Sequence, residues 1–400
     1  MEKTKIKTNI NPHIIWNIFR MKTEKILPIY YYILHKFDYD IYYSEDNYIV
    51  AFPKNGTSNI LICCHIDTVR DRKVIYPNYA SYSSVYPYYT INTINSKEFP
   101  IEDIDDVDYI YRNLDKEIIQ LDKYFETDIY LLIDRNTENI IKCVRKINDN
   151  RFRGEILGGD DRAGLYIITH ILYYTNTRPI IALFNGEESG CIGSRKCVEN
   201  KEIIELLKKK VTFLIQFDRR ELIDFRDEDI NIKITPKGNY VNYLGNVLSP
   251  YIIQKMESLG YTLSSGSISD VKILSEAMKI QHINMSCGFV NEHSSEEKLI
   301  LSALERTINA ALELLNDPVL NNNKFIMTKK KKTIIPNYYE YDYPLNRYKR
   351  NDVFSHVEYE TYEEKMINLN EINNSDFITN NDDEDDILFW IKNKKEEELW

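Results

Sequence analysis

Asn59-Ile60-Leu61-Ile62-Cys63-Cys64-His65-Ile66-Asp67-Thr68-Val69 begins as an apolar run and ends in a histidine and an aspartate. The run reads as a strand, and Tyr48–Phe52 reads as another across the turn Pro53-Lys54-Asn55-Gly56. The pattern recurs downstream. Ile180–Phe184 is a buried-strand candidate ahead of Glu187-Glu188, Val211–Phe217 runs into Asp218, and Ile280–Ser286 leads towards Asn291-Glu292-His293-Ser294. Helical segments lie between them. Ala163, Ile167, Ile171 and Tyr174 share one face over Arg162–Tyr174, Gly193-Ser194 opens a helix into Lys208, and Pro250–Leu259 is helical. Ser294 with Glu297 reads as a capping box before an amphipathic helix through Leu315. Residues 12–36 read as one or two helices, with Ile15, Ile18, Phe19 and Ile26 as core candidates. Strands alternating with helices over 40–316 imply an α/β domain with a mixed, mostly parallel central sheet flanked by helices.

Composition narrows the partners. The chain has 400 residues, is 43% hydrophobic and carries a net charge of −11. That charge argues against nucleic acid, whose phosphates select basic surfaces. The 31 tyrosines fit a general compositional bias. Six cysteines without a CxxC pair fit a reducing compartment better than a disulfide framework. The N-terminal residues are polar and charged, so no signal peptide is expected, and no apolar run reaches the roughly 18–20 residues that span a bilayer. A cytoplasmic protein without membrane contact is the expectation. After Pro318, Asn321-Asn322-Asn323, Lys329–Lys332 and Asp382–Asp386 change the character of the chain. Residues 321–400 therefore read as a low-complexity or peripheral tail behind a domain spanning 1–320.

The segments that could carry chemistry are weak singly. His65 could be a packed histidine with a surface Asp67 nearby. On a strand the two side chains point the same way, so Asp67 could instead stand behind a ligating His65 and hold its tautomer. Asp160-Asp161 follow Gly158-Gly159 at a helix start, where a carboxylate is favourable for capping alone. Glu187-Glu188 could be a solvated turn, although adjacent acids facing different ways suit a metal ligand beside a proton acceptor. Asp218 could be a strand-end turn residue. Cys63 and Cys64 read as buried packing residues rather than ligands.

Taken in order, the segments resemble the co-catalytic two-zinc metallopeptidase clan, which includes zinc aminopeptidases, peptidase T, the carboxypeptidase G and aminoacylase branch, and the tetrahedral aminopeptidases. His65-Ile66-Asp67-Thr68-Val69, Gly159-Asp160-Asp161-Arg162-Ala163-Gly164, Glu187-Glu188-Ser189-Gly190-Cys191-Ile192-Gly193-Ser194 and Cys287-Gly288-Phe289-Val290-Asn291-Glu292-His293-Ser294 carry the resemblance over roughly residues 12–316. It implies a zinc-exopeptidase-like three-layer domain and two divalent ions, zinc first, with cobalt or manganese also suited to nitrogen and oxygen donors. His65, Asp160 and Asp218 would hold one ion, and Asp160, Glu188 and His293 the other, with Asp160 bridging. Glu187 would be general base and acid, Asp67 would support His65, and the Asp160–Asp161 peptide would be cis. Two such ions about 3.5–4 Å apart can share a hydroxide, the nucleophile, and polarise a scissile carbonyl.

Spacing separates the branches. Asp218 to His293 is too short to hold the lid domain of the carboxypeptidase and peptidase T branches, whereas His65 to Asp160 is long, which makes residues 70–150 read as an insertion without a recognised sequence. The expected activity is that of an aminopeptidase on short peptides, with a peptide or small amide as substrate and a homo-oligomer compatible with the pattern. The alternatives are an N-acyl amino acid deacylase or amidase, a carboxypeptidase-type hydrolase, or an inactive binding protein of the same fold.

Overall fold

Buried apolar strands side by side require cover on both faces, and the chain supplies it. The computed structural model describes residues 10–70, 88–90, 99–100, 125–126, 128–134, 139–148, 151–223, 236–242, 248–266 and 268–327. In chain order the strands are β1 (Tyr39–Ser44), β2 (Tyr48–Pro53), β3 (Ile60–His65), β4 (Tyr88–Thr90), β5 (Phe99–Pro100), β6 (Ile129–Asp134), β7 (Ile140–Asn148) and β8 (Arg151–Glu155). Then follow β9 (Ile180–Phe184), β10 (Phe213–Arg219), β11 (Leu222–Ile223), β12 (Pro236–Val241), β13 (Tyr261–Ser264), β14 (His282–Ser286), β15 (Phe289–Val290) and β16 (Lys298–Ile300). The principal sheet runs β1-β2-β9-β3-β10-β14-β12-β11, with β13 beside β12. Its centre, β9-β3-β10-β14, is parallel, and antiparallel strands extend it on both sides.

The helices are α1 (Pro12–Arg20), α2 (Thr23–Lys36), α3 (Gly159–Tyr174), α4 (Ile192–Glu199), α5 (Lys201–Lys210), α6 (Pro250–Ser258), α7 (Asp270–Met278), α8 (Leu301–Leu315) and α9 (Pro318–Asn322). Strand alternation sorts the core into two layers. Ile62, Cys64, Ile181, Leu183, Ile215 and Ile283 pack with α1, α2, α3 and α8, while Leu61, Cys63, Ile180, Ala182 and Leu214 pack with α4, α5 and α7. Cys63 and Cys64 thus fill opposite faces of one strand, as packing residues do. All six cysteines are free and buried. Among the described residues no helix is long and apolar enough to cross a membrane.

A second, antiparallel sheet runs β15-β16-β7-β6-β4-β5, with β8 beside β7. It draws β4 to β7 from the 70–150 segment but is completed by β15 and β16, which flank the His293 loop. Much of that segment lies outside the described residues. Arg145 joins the sheet to its base through Glu126, Asp128 and Glu155, and Arg70 reaches Glu126 at 3.0 Å and the Phe19 carbonyl at 2.7 Å.

Two local expectations are corrected. The helix from Gly193 to Lys208 is two helices, because the Asn200 side chain accepts from Ile203 N–H and starts α5 afresh. Ser294 and Glu297 form no capping box. Helix α8 starts only at Leu301, and the Glu297 carboxylate bonds elsewhere. Residues 321–327 are fastened to the principal domain, since Asn321 bonds Ser58 and Asn59, and Phe325 N–H donates to Thr212 O. The rest of the 321–400 stretch lies outside the described residues.

Two buried histidines make stability depend on pH. Burial holds His170 down to about 4, and burial with the Lys272 charge holds His282 down to about 3, from an ordinary value of 6.5. Below that value the unfolded chain binds more protons than the folded one, so these groups lower stability progressively as pH falls from 6.5 towards 4 and 3. The chelated protein is expected to show a lower urea midpoint at pH 5 than at pH 7, and His282→Asn to narrow that gap. A gap unchanged by the substitution contradicts the assignment to His282.

Candidate metal centre

His65, Glu188 and Asp218 stand at or just beyond the carboxyl ends of the parallel strands β3, β9 and β10, where open α/β sheets present their sites, while Asp160 opens α3 and His293 lies between β15 and β16. His65 ends β3. Its Nδ1 lies 2.9 Å from the Asp67 carbonyl, and its Nε2 lies 3.0 Å from Asp160 Oδ1 and 3.5 Å from Asp218 Oδ1. The contact that orients the ring is therefore mainly the Asp67 backbone oxygen; the Asp67 carboxylate is 3.5 Å away. That carboxylate has another task. It accepts from Gly186 N–H at 2.8 Å, Glu187 N–H at 3.1 Å and Glu188 N–H at 3.3 Å, and so clamps the turn that bears both glutamates.

Asp160 lies between the histidines. Its Oδ1 is 3.0 Å from His65 Nε2 and its Oδ2 is 3.1 Å from His293 Nε2. The Asp160–Asp161 peptide is cis, and both residues have non-helical backbone angles, so regular helix begins at Arg162. Gly164 lets this turn sit against β10: a Cβ there would lie 2.4 Å from the Phe217 carbonyl and 2.5 Å from Asp161 Oδ1. Asp218 is the penultimate residue of β10 and is held by three side chains. Gln216 Nε2, Ser269 Oγ and Asn284 Nδ2 donate to its Oδ2 at 2.9, 2.7 and 3.2 Å, which leaves Oδ1 facing His65. Glu188 Oε1 is 2.9 Å from His293 Nε2.

Two ligand clusters emerge: Asp160, Glu188 and His293 in one, and His65, Asp161 and Asp218 in the other, each with donor atoms mutually within 4.8 Å. The second differs from the expected set by including Asp161. Asp161 is fully buried, and its oxygens are already engaged by His65 N–H at 3.3 Å and Gly164 N–H at 3.0 Å. Asp160 has the freer carboxylate and reaches both histidines.

The clusters fit divalent cations. Their donors are carboxylates and imidazoles with no thiolate, a set suited to zinc, cobalt or manganese. Among the described residues, Glu188 Oε1 is buried without a hydrogen-bond partner and lies 2.9 Å from His293 Nε2. Both atoms can then direct lone pairs to a common point. Charge points the same way, since carboxylates outnumber imidazoles. Burial and the Asp218 charge push Asp160 up, burial pushes Asp161 well up, and His293 is pulled up to about 11 by Asp160 and Glu188. Cations would supply the positive charge those shifts express. Glu187 is on the rim of the cluster. Burial, with the charges of Asp218, Asp270 and Asp160, pushes its carboxyl up to about 9. Cys191 Sγ lies 3.8 Å from its Oε1.

Sequence reasoning missed Asp161, Gln216, Ser269, Asn284 and Glu297. Gln216 and Asn284 were visible as polar breaks in the apolar strands Val211–Phe217 and Ile280–Ser286, and they pair across β10 and β14. Nothing local marked Ser269.

No protein-family model and no curated protein sequence matches the chain. Solved structures similar to it include the aminopeptidase PepT from Bacillus cereus, at 11% identity and TM-score 0.41, covering 77% of this chain and 98% of that one. A tripeptidase from Staphylococcus aureus is similar at 12% identity and TM-score 0.41, covering 78% and 100%. The TET1 peptidase from Pyrococcus horikoshii, which can assemble into a tetrahedron or a large octahedral shell, is similar at 12% identity and TM-score 0.42, covering 74% and 95%. Identity and TM-score are both low, and what the site can do follows from its own distances.

Proposed function

We propose that the chain is a two-metal amide-bond hydrolase, an aminopeptidase acting on short peptides. The observation that carries the reading is Asp160, whose two oxygens each stand about one ligand-contact distance from a different histidine, 3.0 Å from His65 and 3.1 Å from His293. One cation would be held by His65, Asp160 and Asp218, and the other by Asp160, Glu188 and His293. Bound there, two cations, zinc first, would polarise a scissile carbonyl and lower the pKa of water.

The chain's own groups do the rest. Glu187 takes a proton from the attacking water on a carboxylate oxygen and returns it to the departing nitrogen, which gives it the roles of base and acid in turn. Asp67 keeps Glu187 and Glu188 in place through their backbone N–H groups. Gln216, Ser269 and Asn284 fix the free oxygen of Asp218 towards His65. His293 is the most open member of the set, its side chain 44% exposed, so substrate approaches from that side.

The interval between Asp218 and His293, which leaves no room for a lid domain, favours an aminopeptidase over the deacylase and carboxypeptidase alternatives. A homo-oligomer in a cytoplasmic setting is compatible with this reading. The test pairs one aminoacyl amide with its N-acetylated counterpart in the presence of zinc, cobalt or manganese. The free amine is expected to be cleaved and the acetylated form to resist. Equal or faster cleavage of the acetylated form would reject the aminopeptidase reading and favour a deacylase or carboxypeptidase at the same metal site.

A further inference from the structure

The turn that bears Asp160 is fastened by a residue far away in sequence. Glu297 is fully buried. Its Oε2 accepts from Gly158 N–H at 2.8 Å and its Oε1 from Asp160 N–H at 3.2 Å. A Cβ on Gly159 would stand 3.0 Å from Glu297 Oε1 and 2.8 Å from Phe289 Cβ, so the carboxylate lies directly against the glycine. Glu297 also belongs to the segment that presents His293, through Glu297 N–H donating to Ser294 O at 3.1 Å. One residue therefore ties the two, its carboxylate holding the Asp160 turn and its backbone N–H the His293 loop, across which Asp160 Oδ2 and His293 Nε2 stand 3.1 Å apart.

We infer that Glu297 is a positioning residue of the metal centre, holding Asp160 so that its two oxygens face the two histidines. The inference rests on the two-metal reading above. A carboxylate is the group this task needs, because each of its oxygens accepts one backbone N–H. A glutamine offers a single acceptor oxygen and turns an NH₂ towards a second donor. An aspartate keeps both oxygens but is one methylene short of the turn.

The experiment uses the full chain loaded with cobalt(II), whose visible absorption reports ligand geometry. Both Glu297→Gln and Glu297→Asp are expected to bind cobalt about 10–100-fold more weakly in competition with a chelator, as loss of partners behind metal ligands commonly does, and to show an altered spectrum. Asp317→Asn serves as the comparison. Asp317 caps α9 and accepts from the Tyr251 hydroxyl, and its loss should lower the melting temperature while leaving cobalt affinity and spectrum unchanged. A folded Glu297→Gln with the parent's affinity and spectrum overturns the inference. Should that variant fail to fold, Glu297→Asp gives the same readout, and unchanged cobalt affinity and spectrum there overturn it equally. A parent chain that binds no cobalt defeats the two-metal reading and this inference with it, whereas binding by parent and variants alike defeats the inference alone.

Discussion

Glu187→Gln is expected to keep its ions and lose turnover by about 10²–10⁴-fold, the usual contribution of a positioned proton acceptor. The substitution is nearly isosteric and leaves the Glu187 N–H bond to Asp67 Oδ1 in place, so the turn should stand. Glu188→Gln should behave differently. Its Oε1 is buried 2.9 Å from His293 Nε2, without a hydrogen-bond partner among the described residues, and an amide there weakens a ligand set rather than a proton transfer. Metal content by plasma mass spectrometry beside steady-state rates separates the two. If Glu188→Gln keeps its metal and loses turnover while Glu187→Gln loses metal, the roles of the pair are reversed.

Asp160→Ala is expected to lose both ions together, and with them activity down to background, because among the described residues Asp160 is the carboxylate that approaches both histidines. Asp218→Asn should be milder. Its Oδ2 is already committed to Gln216, Ser269 and Asn284, and only the ion near His65 depends on Oδ1. Retention of one ion by Asp160→Ala would show that the two clusters bind independently and that Asp160 bridges nothing.

Much of this arrangement was legible along the chain because parallel strands are short apolar runs, and their ends are where sites form. His65, Glu187, Glu188 and Asp218 follow such runs directly. The helix over Arg162–Tyr174 was readable from its apolar face, and the cis Asp160–Asp161 peptide from resemblance. What escaped was non-local. Ser294 and Glu297 have the spacing of a capping box, but spacing describes one turn of chain, whereas the bond from Gly158 to Glu297 spans 139 residues. The second sheet escaped for the same reason, since β16 lies far from β7 in sequence and alternation within a strand does not name its partner. The break at Asn200 was different in kind: an asparagine ahead of an amphipathic run is an N-cap signal, and it was present in the sequence. Asp161 was hidden by its neighbour, because two adjacent acids look alike until one is seen to be bonded to His65 and Gly164 backbone N–H groups.

His65, Asp160, Asp218, Glu188 and His293 are expected to hold a pair of cations. The most direct test is the metal content of the intact chain, reconstituted with zinc, dialysed mildly at neutral pH and measured by plasma mass spectrometry. About two ions per chain are expected. Reproducible absence of divalent metal after reconstitution would contradict this expectation.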